Sequence, residues 1–255
     1  MNRGSADSAP SASGPAPDLL PRDVPWGIFE GVALLVAFAG LQAVLGVLLS
    51  AREQGLGQLV VVGAISDGAI LVIAVALVRA MREGPRPTVR RALGLVWPAR
   101  RGLGTAVKAA VVGAVAYVGL TRAAAAVLEY FGSSWSELPR QQIGILISEA
   151  ESGPVLLAAG VMAVVLAPVA EEVLFRGILY LPLRDRLGPV AAALVVGVVF
   201  SLCHFYPPGF FHLIVLSVVF TTAFEYTGSL WAAVVLHSLY NGLELVLLRT
   251  PQMLN

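Results

Sequence analysis

Charge is scarce in this sequence. Asp, Glu, Lys and Arg make up 13% of the 255 residues while 57% are hydrophobic, and a soluble globular domain carries about a quarter charged residues. With a mean hydropathy of +0.81, the chain cannot cover itself with a water-compatible surface. That excludes a soluble globular protein and predicts an all-α, polytopic bundle of transmembrane helices. A net charge of +1 supplies no basic surface, so nucleic acid is not an expected partner. Cysteine is nearly absent as well: Cys203 stands alone, which excludes an intrachain disulfide and a cysteine-only metal site. Lys108 is alone among arginines, and with the wealth of Ala, Gly and Val this hints at a GC-rich bacterial genome. No basic region leads directly into an apolar stretch at the start, so no cleavable signal peptide is expected. No internal repeat of the transporter kind is evident.

What is present is a series of long apolar runs. Residues 1–25, rich in Ser, Ala, Pro and Gly, are expected to form a disordered tail, having too little apolar surface to offset their ordering entropy. Crossing about 30 Å of hydrocarbon takes about 20 apolar residues. Trp26–Ser50, Leu59–Met81, Leu103–Phe131, Pro154–Leu183, Pro189–Tyr206, Phe210–Tyr226 and Leu230–Leu248 meet that need, about seven spans. Lys108, Thr121 and Arg122 interrupt the third, and a short segment at Ile143–Ile147 would be an eighth. Residues 26–150 carry spans without a recognisable motif; 154–248 carry all the polar clusters. The connection 79–101 holds seven arginines against Glu83 alone. Such short loops stay in the cytoplasm, which places the N-terminus inside, as expected of a bacterial inner-membrane protein.

Three polar pairs interrupt the later spans. In "APVAEEVLFRG", Glu172 and Arg176 lie one helical turn apart, and Glu171 points about 100° away from Glu172. Arg176 can therefore pair Glu172 and leave Glu171 free to act as a general base. The bland reading is an intrahelical ion pair with Glu171 at a wet edge, but charge in this position is costly. In "FSLCHF", Phe200 and His204 share a face, so the ring of Phe200 can orient that of His204. In "LHSLYNG", His237 and Asn241 do the same and offer two donors for an oxyanion, or interhelical glue. Glu225, Tyr240 and Glu244 lie near these pairs as supporting contacts. Asp67 lacks an obvious partner, and His212, beside the "PPG" turn, reads as interfacial.

In this order and spacing, Glu171-Glu172-x-x-x-Arg176, Phe200-x-x-x-His204 and His237-x-x-x-Asn241 resemble the three signatures of the CPBP intramembrane proteases. That family includes the CAAX prenyl endopeptidases, which remove the last three residues of prenylated proteins, and bacterial Abi proteins linked to bacteriocin processing and self-immunity. The resemblance covers about residues 154 to 248. It implies that Glu171 and His204 activate a water, His237 and Asn241 stabilise the oxyanion, and Arg176 with Glu172 orients the site. It implies a peptide or protein substrate, lipidated or membrane-embedded, met within the bilayer. There is no His-Glu-x-x-His signature, yet Glu171, His204 and His237 together form a set able to hold Zn²⁺ with one position open for water. The family's metalloprotease name favours zinc; a glutamate-dependent mechanism without metal is the alternative. A proton-coupled transporter and a non-catalytic immunity or scaffold protein of the same fold are the rival functions.

Depth is the difficulty. At about 1.5 Å per residue, Glu171 lies about 20 Å from Arg184, His237 about 18 Å from Glu225 and His204 about 27 Å from Arg186. Convergence on one water-filled cavity within the membrane requires tilt, or a kink at Pro168 or Pro182.

Overall fold

The computed structural model describes residues 20–21, 24–49, 55–81, 88–97 and 153–253, with ten separate positions between 104 and 147, all helical. No strand occurs among the described residues. The elements are α1 (Ile28–Leu49), α2 (Leu56–Ala80), a single turn α3 (Val89–Ala92), the long helix α4 (Pro154–Leu187), α5 (Pro189–Cys203), α6 (Phe210–Thr227) and α7 (Leu230–Met253). Four helices are long and apolar enough to cross a membrane: α1, α2, α4 and the stretch Pro207–Thr227 that contains α6. Pro189–Cys203 and Leu230–Val246 are shorter apolar helices. The expected third span, Leu103–Phe131, lies outside the described residues apart from its isolated helical positions. Of the tail 1–25, expected to be disordered, residues 1–19 and 22–23 lie outside the described residues, and Leu20 is buried.

The middle of the bundle is the second half of α4. Every residue from Val173 to Leu183 is buried, as expected of a helix segment that is apolar on every side except at Arg176. It is wrapped by α1, α2, α5 and α7. The indole N–H of Trp26, just ahead of α1, donates to the Ile178 carbonyl at 2.9 Å and ties the first helix to this core. α2 turns Ser66, Asp67, Ile70, Ala74 and Val78 inward, a stripe at helical spacing that faces α4.

α4 is not a uniform α-helix. Met162–Leu166 and Val173–Tyr180 run as π-helix, on either side of Ala167–Glu172. π-turns inside α-helices are rare and concentrate at functional sites. Glu171 and Glu172 end the α-helical segment between the two π stretches. Gly188, at φ +78°, ends the helix in a conformation that side chains resist, and Pro189 starts α5 at once, where its missing N–H costs nothing.

α5 and α6 form a tight antiparallel hairpin. A Cβ on Gly197 would lie 3.3 Å from the Ile214 carbonyl oxygen and 3.7 Å from the Ile214 Cα, so the two backbones touch, as small residues allow in membranes. Ser201 Oγ donates to the Phe210 carbonyl at 2.7 Å and closes the turn. Gly197→Leu should force the hairpin apart at a cost of about 1–3 kcal/mol. Thermal unfolding in detergent measures that, and an unchanged Tm would refute the close approach.

Candidate active site

Arg176 is fully buried beside Glu172, also fully buried, and isolated charges there would be prohibitive. The guanidinium is matched at each nitrogen. Nη1 donates to Glu172 Oε1 at 2.9 Å. Nη2 donates to the Ser217 carbonyl and hydroxyl at 2.8 and 2.7 Å, and Nε reaches Thr221 Oγ1 at 3.4 Å. Phe200 and Phe220 flank the cation, with ring centroids at 5.1 and 5.4 Å, within the range of cation–π attraction. Arg176 thus joins α4 to α6. The Ser217–Thr221 pair went unnoticed in the sequence, although two polar residues one turn apart in an apolar helix were a legible signal.

Glu172 Oε1 accepts a second hydrogen bond, from His237 Nδ1 at 2.9 Å, so the expected Glu172–Arg176 pair also reaches α7. A carboxylate can only accept, which puts the proton on Nδ1 and leaves Nε2 of a neutral His237 bare. Phe220 stacks on the ring at 4.8 Å and 18° and fixes its plane. Phe220 was another residue the sequence reading missed.

Glu171 faces the other way, as its rotation along the helix predicts. Its Oε2 lies 3.8 Å from His237 Nε2 and 4.0 Å from His204 Nε2. His204 follows directly on the end of α5, where Phe205 takes a left-handed φ of 47°, rare outside glycine. His204 Nδ1 lies 2.7 Å from the Phe200 carbonyl, an acceptor, so this Nδ1 carries its proton too. Phe200 lies against the ring at 4.4 Å, the packing expected from the sequence. Two bare nitrogens therefore converge on one carboxylate oxygen, and that oxygen is buried and takes no hydrogen bond from the protein.

Asn241 Nδ2 donates to the Ala163 carbonyl at 2.8 Å. Glu171, His204, His237 and Asn241 all line a cavity of about 540 Å³. His212 also lines it, its Nε2 2.9 Å from the Tyr240 hydroxyl, which donates to Glu244 at 3.0 Å. Asp67 is buried on the α2 face turned to α4, near enough to Glu171 for their charges to interact. Glu225 stands apart, accepting from Tyr180 and Arg184.

The donor types suit zinc: one carboxylate oxygen and two histidine nitrogens whose other nitrogens are already engaged. Ligand atoms around a tetrahedral zinc with bonds of about 2.0–2.1 Å stand about 3.3 Å apart, somewhat closer than the 3.8 and 4.0 Å here. Among the described residues no three such side chains already sit at ligand spacing. To share an ion, Glu171 Oε2 would have to stand about 0.5 Å closer to His237 Nε2 and about 0.7 Å closer to His204 Nε2 than it does here.

Comparison with known proteins fits the arrangement. No curated protein and no solved structure matches the chain. Residues 153–243 do match the family model described as type II CAAX prenyl endopeptidase, Rce1-like, and the match takes in Glu171, Glu172, Arg176, His204, His237 and Asn241. With four helices fit to cross a bilayer, the chain is a membrane protein, and its residues 153–243, about a third of its length, are similar to the Rce1-like family of type II CAAX prenyl endopeptidases.

Proposed function

We propose that the protein is an intramembrane endopeptidase in which Glu171, flanked by His204 and His237, activates a water against a peptide carbonyl. The observation that carries this reading is the buried Glu171 Oε2, unbonded to protein and faced by two imidazole nitrogens. A water in that gap would donate one proton to Glu171 and the other to a histidine Nε2. Its oxygen attacks the carbonyl carbon as Glu171 takes the proton, and the carbonyl π pair becomes the oxyanion. The second N–H of Asn241 and, in its doubly protonated form, His237 Nε2 meet that charge. Collapse breaks the C–N bond, and the proton held by Glu171 passes to the departing amine. Glu172, itself held by Arg176, keeps the His237 ring in orientation. Bound Zn²⁺, in the metalloprotease form of this reading, would be held by Glu171, His204 and His237 and would supply a Lewis acid that lowers the pKa of its water.

The substrate is a peptide or protein entering from the bilayer, lipidated or itself membrane-embedded. The arginine-rich connection argues for a cytoplasmic N-terminus in a bacterial inner membrane. Purified protein in detergent should cleave members of a peptide library that includes farnesylated C-terminal peptides, read by mass spectrometry. His204→Ala should lower kcat by about 10² or more while Tm holds. Full loss of cleavage after chelation, restored by Zn²⁺, would establish the metal form; indifference to chelator would establish the glutamate form. No cleavage by the wild type, or unchanged cleavage by His204→Ala, would overturn the mechanism.

A further inference from the structure

We infer that Pro168 and Asn241 form one positioning device, in which the proline frees a backbone carbonyl on α4 so that the asparagine amide on α7 can anchor to it. The N–H of Ala167 bonds to the Met162 carbonyl, five residues back, which is the π register. In the same register the next carbonyl, that of Ala163, would receive the N–H of residue 168. Residue 168 is proline and has none. Asn241 fills the place from a different helix, its Nδ2 donating to Ala163 O at 2.8 Å.

The consequence reaches the cavity. A carbonyl only accepts, so it selects the nitrogen end of the amide and fixes its rotamer. Because the amide is planar, anchoring one N–H sets the direction of the other. Asn241 borders the cavity that Glu171 and His237 also line, so the anchored group is the one offered to the oxyanion. Pro168, three residues before Glu171, is a positioning residue that acts through Asn241. Without Asn241 the Ala163 carbonyl, partly buried at the cavity wall, would lose its side-chain donor, about the worth of one hydrogen bond. The inference deepens the peptidase reading and rests on it for its kinetic arm alone.

A double-mutant cycle tests it with wild type, Pro168→Ala, Asn241→Ala and the double variant, each measured for Tm and for kcat and KM. Alanine is favourable in a helix and restores the missing N–H, so the chain can satisfy Ala163 by itself. Asn241→Ala alone should lower Tm by about 3 °C, but in the Pro168→Ala background by less than about 1 °C. Pro168→Ala alone should keep Tm and lower kcat by about tenfold with KM held within about twofold, as a displaced rather than deleted oxyanion donor would. Tm losses that add in the double variant overturn the device, as does an unchanged kcat in Pro168→Ala. The thermal arm needs no turnover, so an absence of cleavage would count against the peptidase and leave the anchor to be judged by Tm. Should Pro168→Ala not fold, Asn241→Leu decides, since it fills the space without donating: a variant as stable as wild type overturns the anchor.

Discussion

Glu171→Gln should cut kcat by about 10³- to 10⁴-fold, at the upper end of what a general acid–base contributes. The change is isosteric, so the α4 backbone and the cavity wall stay in place. What goes is the carboxylate that takes the proton of water. An amide in its place can also donate to the bare Nε2 of His204 or His237, 4.0 and 3.8 Å away in the native site, and so close the gap where the water would sit. Stability should hold or rise, because a buried oxygen with no partner is replaced by a group that can find one. Side-by-side turnover and thermal unfolding in detergent read both effects. Activity within about tenfold of wild type would remove Glu171 from the base role.

The largest stability effect should come from Arg176. Arg176→Met is expected to cost about 3–5 kcal/mol, the range for stripping one partner from a buried ion pair, and so to lower Tm by about 10 °C or more. Both members are fully buried, so solvent does not screen the loss. The Ser217 and Thr221 contacts go with the charge, which loosens α6 from α4. Turnover should fall too, because Glu172 must then find a new position and His237 follows it. Combining Arg176→Met with Glu172→Gln removes the stranded charge and should recover a large part of the stability but little activity. Arg176→Lys cannot reach Glu172, Ser217 and Thr221 together and should fall between. A Tm for Arg176→Met within about 2 °C of wild type would show that the pair does not hold the bundle.

The sequence carried the helical class, the approximate places of the spans around α1, α2, α4 and α6, and the pairing of Glu172 with Arg176. Those features follow from apolar length and from one-turn spacing, which are local. It also indicated that Glu171 would point elsewhere, since 100° of rotation separates adjacent residues. The depth conflict could not be resolved from spacing, because it assumed uniform α-helices. α4 contains two π-turns, and α5 stops just before His204 and does not run on to Tyr206. Both departures depend on packing between helices. The partner of His212, Tyr240, likewise comes from another helix, α7. Contacts made across helices, such as Phe220 on His237 or Asn241 on Ala163, leave no mark on the periodicity of either segment.

The short stretch after α3 alters what counts as a separable unit. Gly94, in the N-terminal half, offers its carbonyl to the Leu230 N–H at 2.8 Å, and Ser229 Oγ donates to the Val96 carbonyl at 2.5 Å. The first N–H groups of a helix have no partner within it, so a residue far upstream caps the helix that bears His237 and Asn241. Trp26 bonds the Ile178 carbonyl in the same way. The stretch 153–243 bounds a sequence signature whose helices also hydrogen-bond to residues outside it. Exchange of this region between proteins, by recombination or by design, therefore has to carry residues 26 and 94–96 along with it, or rebuild what they supply.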